Sequence, residues 1–176
     1  MGLWILWRNI VAILLSLVSP LSLATDIHFS GALIAEPCVI EAGDDALELN
    51  FGNVIDRELY VHHRSQTMPF TLNLIGCSID TAKTVAITFS GQESNELAGF
   101  LATQAGSKAA GIAIGLETLS GEAVLLNKVA PPVTLQTGRT LILLRAYIQG
   151  EPNAIRDRTI IHGAFSAIAT FNLNYQ

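Results

Sequence analysis

The side chains able to do chemistry are few and scattered. Cys38 and Cys77 are the two thiols of the 176-residue chain, and His28, His62, His63 and His162 are its four imidazoles. A zinc site needs more ligands than two thiols, and none of the histidines has a second histidine or a carboxylate at a recognised metal or catalytic spacing. His62 and His63 beside Arg64 read as a solvated loop. The serines lack the Gly-x-Ser-x-Gly elbow that presents a hydrolase nucleophile, and the glycines form no phosphate cradle. No catalytic residue, metal or cofactor is therefore assigned, and an enzymatic reading has nothing to rest on.

What the two cysteines do depends on the compartment. Met1 to Ala24 carries one charge, Arg8, then an apolar run from Ile10 to Val18, a breaker at Pro20 and small residues at Ser22 and Ala24. That order is the order of a signal peptide. The apolar run is too short to span a bilayer comfortably, and Thr25-Asp-Ile-His28 supplies no stop-transfer charge, so no retained membrane segment is expected. In an exported chain an even pair of cysteines reads as a disulfide. Closing a loop of this length would stabilise the fold by roughly 4 kcal/mol through chain entropy.

Removing 24 residues leaves 152, enough for one domain with a sizeable core. The leader holds one base and no acid, so the remainder carries nine bases against 15 acids, a net charge of −6. This balance argues against nucleic acid or an anionic membrane surface as partner.

Short runs of β-favouring residues punctuated by Gly, Asn, Asp and Pro fill the rest, with no long amphipathic helix. The runs are 26–35, 46–53, 69–77, 84–91, 111–118, 141–150 and 164–175, which suggests an all-β sandwich. A single helical turn is allowed within Leu97 to Ala110, where Gly99 and Gly106 limit anything longer. At the N-terminus Ile27, Phe29, Gly31 and Leu33 share one strand face. At the C-terminus Phe165, Ala167, Ala169, Phe171, Leu173 and Tyr175 alternate with polar residues, and only Ile168 breaks the pattern. Gly31 is unusual on an apolar face, because a glycine there weakens a strand and often marks the close approach of another backbone.

Taken together, the leader, the Phe29-Ser-Gly-Ala-Leu33 strand, the Pro37-Cys38 pair, Cys77 at a strand end and the closing strand resemble pilin (fimbrial) subunits of the chaperone/usher pathway. The family places a Gly fourteenth from the end and an aromatic at the penultimate position, where this chain has Gly163 and Tyr175. The Phe-x-Gly-x-Leu-x-x-x-Pro-Cys opening is most similar to the minor tip-fibril and adaptor subunits of type 1 and P pili.

The resemblance implies an incomplete immunoglobulin-like sandwich lacking its last strand, completed in trans by donor-strand complementation. Residues 1–24 would be the signal peptide, 25–35 the donor-strand extension and 36–176 the pilin domain. A periplasmic chaperone would lend a strand first, and the extension of a neighbouring subunit would replace it as an outer-membrane usher assembles the fimbria at the cell surface. Ile27, Phe29, Gly31 and Leu33 would donate. The acceptor groove and chaperone-recognition surface would comprise Gly163, Ala167, Ala169, Phe171, Leu173, Tyr175 and the carboxylate of Gln176. The sequence agrees at one point, since it supplies no residues after the 164–175 run to form a further strand. The implied function is structural, supporting cell adhesion.

Two other readings compete. A lectin-like adhesin module would need a sugar site; Trp4 and Trp7 both lie in the leader, which leaves Tyr60 and Tyr147 as stacking residues. A complete secreted immunoglobulin-like domain would instead need its own N-terminal strand to fold.

Overall fold

β8 (Gly138–Gly150) is the spine of the larger sheet. Its alternation buries Ile142, Leu144, Ala146 and Ile148 on one face and leaves Leu141 and Leu143 exposed on the other, as expected of a strand with a core on one side only. The computed structural model describes residues 30–31 and 36–176. β8 lies between β2 (Met68–Cys77) and β5 (Ile112–Thr118), with β1 (Val39–Ile40) beyond β2. β4 (Leu101–Ala102) and β6 (Ala123–Val124) both pair with β5. The smaller sheet has the order β7 (Val133–Thr134), β3 (Thr84–Ser90), β9 (Thr170–Tyr175).

The two sheets enclose one core. Leu72, Leu74, Ile142 and Ile148 come from the larger sheet, and Val85, Ile87 and Phe89 come from the smaller. Phe70 meets Phe89 edge-on across the layers, with ring centroids 6.4 Å apart. The chain is an all-β, immunoglobulin-like sandwich. Cys38 and Cys77 form a disulfide with their Cα atoms 4.2 Å apart, tying the start of the domain to the end of β2.

Four of the runs read from sequence correspond to β2, β3, β5 and β8, and the closing run is a paired strand only over Thr170–Tyr175. The run 46–53 is not a strand. A 3₁₀ turn spans Asp44–Ala46, and residues 47–53 make no ladder. Local polar bonds take over there: the Asp44 carboxylate accepts from the backbone and side-chain amides of Asn73, and Asn50 Oδ1 accepts from Gly52 N. The expected turn within 97–110 holds no helix among its residues. Two short helices lie elsewhere, α1 (Asp56–His62) and α2 (Pro152–Asp157). In α2 Pro152 occupies the first turn, where its missing N–H costs no helical bond.

Among the described residues one charged side chain is buried. Glu117 on β5 stands opposite Arg145 on β8, and its two oxygens each lie 2.9 Å from an arginine Nη2, one from Arg64 and one from Arg145. Arg64 also stacks its guanidinium 3.6 Å from the centroid of the Tyr147 ring. Hydrogen bonds to charged groups are the strong ones, so Glu117→Ala is expected to cost about 1.5–3 kcal/mol. Urea unfolding would read this as a lower midpoint at unchanged slope, and an unaltered midpoint would remove this triad from the stability of the fold.

Candidate functional site

Burial falls abruptly across one strand boundary. On β3, Val85, Ile87 and Phe89 are 0%, 2% and 6% exposed. Their direct partners across the ladder, Tyr175, Leu173 and Phe171, face the same way yet are only half-buried. Phe165, Ala167 and Ala169 continue the same half-buried ridge towards the start of the segment. Ile168, the one break in the alternation, points outward and is 64% exposed.

The other edge of β9 has no strand partner among the described residues. Facing it across a furrow runs the segment from Cys38 to Val54, in the opposite direction. The Tyr175 hydroxyl donates to the Cys38 carbonyl at 3.4 Å, and Phe165 packs against Phe51 with centroids 6.3 Å apart. No backbone hydrogen bond joins these walls among the described residues. The furrow is therefore apolar on both sides, lined by Leu49, Phe51 and Val54 opposite the β9 ridge. Its middle is widened by Ala167 and Ala169, whose side chains end at Cβ.

Each end has its own construction. At the head, Ala164 O accepts from Lys108 N and Ala109 N at 2.8 and 3.2 Å, which brings the backbone of Gly163 against that loop. A Cβ on Gly163 would stand 2.5 Å from Lys108 Cβ and 3.2 Å from its carbonyl carbon, and φ is +153°. Only glycine fits both the space and the torsion. Beside it a cavity of about 80 Å³ is lined by Val54, Leu59, Ile148, Ile160 and Phe165. His162 Nε2 lies 2.9 Å from Asp56 Oδ2 at its mouth. That hydrogen bond holds the Asp56 carboxyl below the usual range, against the opposing effect of partial burial. At the tail, Gln176 O accepts from Lys83 N and Thr84 N at 2.7 and 2.9 Å. Burial pushes the Tyr175 hydroxyl up, and the charge of Glu36 adds to the shift.

This arrangement can accept an extended segment. It offers one free row of backbone groups and a line of apolar depressions, and both are satisfied by β-augmentation. Among the described residues no cluster of His, Cys, Asp or Glu could hold a metal ion.

The structure brings Gly163, Ala167, Ala169, Phe171, Leu173, Tyr175 and Gln176 onto one wall. Ile27, Phe29 and Leu33 lie outside the described residues, and Gly31 is exposed with open space around its Cα. The facing wall of Leu49, Phe51 and Val54 was missed by sequence reasoning. Its signal was present in the alternation of Leu47, Leu49 and Phe51, which reads equally well as an ordinary core strand.

The family profile described as Fimbrial protein matches residues 27–176. The chain is 34% identical to PmfF of Proteus mirabilis strain HI4320, whose name places it among minor fimbrial subunits, with 92% of this chain and 93% of that one covered. It is 30% identical to the fimbrial adapter PapK of Escherichia coli, over 88% and 90% of the two chains. The crystal structure of the P pilus rod subunit PapA superposes with a TM-score of 0.69 at 26% identity, covering 80% of this chain and all of that one.

Because its Cβ would collide with Lys108 Cβ and crowd the backbone beside it, at a torsion that favours glycine, Gly163→Ala is expected to lower stability by about 1–3 kcal/mol. A urea midpoint equal to that of the unaltered chain would show that the loop at Lys108 yields freely.

Proposed function

We propose, from the premise that this chain belongs to the fimbrial protein family and is a structural subunit of a pilus, that it polymerises by filling its open furrow with a neighbour's N-terminal strand. The observation that supports this is the loss of burial across the ladder from Val85, Ile87 and Phe89 to Tyr175, Leu173 and Phe171. A finished sandwich would bury both rows. An apolar ridge beside an unpaired strand edge is a liability in solution, and a donated strand removes the exposed surface and the unpaired backbone together.

In this mechanism Ile27, Phe29 and Leu33 enter depressions along the β9 ridge of the preceding subunit, and Gly31 sits where its backbone must come close. Burying each large side chain contributes about 1.5–3 kcal/mol before the cost of ordering the strand. Backbone hydrogen bonds to the free edge of β9 set the register. Before assembly a periplasmic chaperone occupies the same furrow and grips the Gln176 carboxylate by charge-assisted hydrogen bonds, and an outer-membrane usher exchanges one strand for the other. Residues 1–24 direct export, and 25–35 form the donor extension of the 36–176 domain. The chain acts as a minor or adaptor subunit rather than as an enzyme or a sugar-binding adhesin. Its likeness to the adapter PapK and to PmfF favours that placement.

A copy of residues 25–35 fused after Gln176 is expected to give a monomer that unfolds cooperatively, whereas the unfused mature chain associates. A cooperative monomer without any donor strand would overturn the mechanism. Phe29→Asp should abolish donation while leaving acceptance intact, and Tyr175→Ala should do the reverse. Mixing each variant with the unaltered chain and following oligomers by size-exclusion chromatography separates the two roles, and unchanged assembly by both variants would refute them.

A further inference from the structure

The domain has two unlike poles, and the ends of the furrow identify them. One is the Cys38 pole, where the chain enters and the closing strand finishes. Ser78 N donates to Pro37 O, the Tyr175 hydroxyl reaches Cys38 O, and Gln176 O accepts from Lys83 N. The other is the α1 pole, where Asp56 meets His162 and the Tyr60 hydroxyl accepts from Ile160 N, just ahead of Gly163.

A strand added antiparallel to β9, the pairing used throughout both sheets and the more favourable one, runs from the Cys38 pole to the α1 pole. Its last anchor, Leu33, then arrives beside Gly163. Four residues separate Leu33 from Cys38, a tether of at most about 17 Å when fully extended. The donor's Cys38 pole is thereby held against the recipient's α1 pole.

The surfaces brought together are complementary. On and beside α1, Ile55, Val61 and Ile161 are 63%, 58% and 57% exposed. Arg57 and Arg158 close to them form no ion pair among the described residues. At the Cys38 pole Val39 and Ile79 are the exposed apolar residues, and Glu36 and Asp80 are exposed carboxylates without an ion pair among the described residues; they outnumber the one unpaired cation at this corner, Lys83, whose ammonium donates to Ile79 O. We propose that the α1 face, centred on Ile55, Arg57 and Val61, docks the Ile79–Asp80 corner of a second copy of this chain, the copy whose strand fills the furrow. The inference rests on the strand-exchange reading and adds to it a contact between folded bodies. Such a contact is heterologous and does not close, so it repeats wherever copies of this chain follow one another in a fibre. It sets the angle between successive subunits, which a strand joined through four tether residues leaves free to vary.

The test uses the chain purified from the periplasm, as Val61→Cys and Ile79→Cys variants mixed and allowed to associate, with a short bismaleimide as probe. The control pairs Ile79→Cys with Leu143→Cys, which lies on the outer sheet face. Tethering raises effective concentration, so the 61–79 cross-link is expected at about ten times the control yield or more. Arg57→Glu should reduce that yield, and Asp80→Arg in the same chain should restore it. Oligomers that form and are abolished by Phe29→Asp, yet give no 61–79 cross-link above control, overturn the docking while strand exchange stands. If no Phe29-dependent oligomers form, strand exchange fails and the docking falls with it.

Discussion

The free edge of β9 is the constraint on which the rest of the molecule depends. Its backbone groups on one side are matched by β3, and on the other side by nothing among the described residues. An unpaired edge is tolerable when it is short, charged or covered. This one carries Phe171, Leu173 and Tyr175 turned towards the core, with Phe165, Ala167 and Ala169 ahead of them. The edge and the ridge are two aspects of one vacancy, and only an extended segment answers both at once.

Keeping such a vacancy open takes structure of its own, because two apolar walls would otherwise close on each other. The Cys38–Cys77 disulfide anchors the start of the facing wall to β2, in the opposite sheet. The bonds from Asn73 to Asp44 hold that wall further along. At the far end Gly163 lets the lead-in to β9 lie on the Lys108 loop. Arg64, Glu117 and Arg145 pin β5 to β8 on the outer face, so the large sheet behind the core stays rigid.

Much of this was legible in the sequence. Short β-favouring runs bounded by turn residues at 69–77, 84–91, 111–118 and 141–150 located the principal strands, and the cysteine pair with an export leader located the disulfide. The 164–175 alternation marked the ridge, including Ile168 as the residue that turns outward. The segment 46–53 failed for a physical reason. Its alternation is real, because Leu49 and Phe51 do face the core, but alternation reports which side is apolar and not whether an edge is paired. The polar side chains of Asp44 and Asn50 then satisfied the backbone that a ladder would have used. α2 was hidden because Gly150-Glu151-Pro152-Asn153 is rich in turn-forming residues, while the same proline also suits the first turn of a helix. Of the candidate site, one wall could be read from sequence. The other could not, since facing across a gap is a property of tertiary packing.

The residues lining the furrow also bear on how strongly it can hold a strand. A groove of large side chains would be nearly self-filling and would offer a donor little new burial. A groove of small ones would offer depth but few contacts. Here Phe171, Leu173 and Tyr175 pack against buried partners on β3 and form a firm floor at one end, while Ala167 and Ala169 leave room at the middle, next to the cavity beside Gly163. A strand whose anchors are aliphatic and aromatic except for one glycine matches such a profile, large where the groove has room and absent where backbone must approach. On the proposed mechanism the stability of each domain is then not its own property, because the strand that completes it belongs to another molecule. Folding energy and assembly energy become one quantity, drawn from the same buried side chains. On that mechanism an open furrow is tolerable because it stays open only until a donated strand fills it.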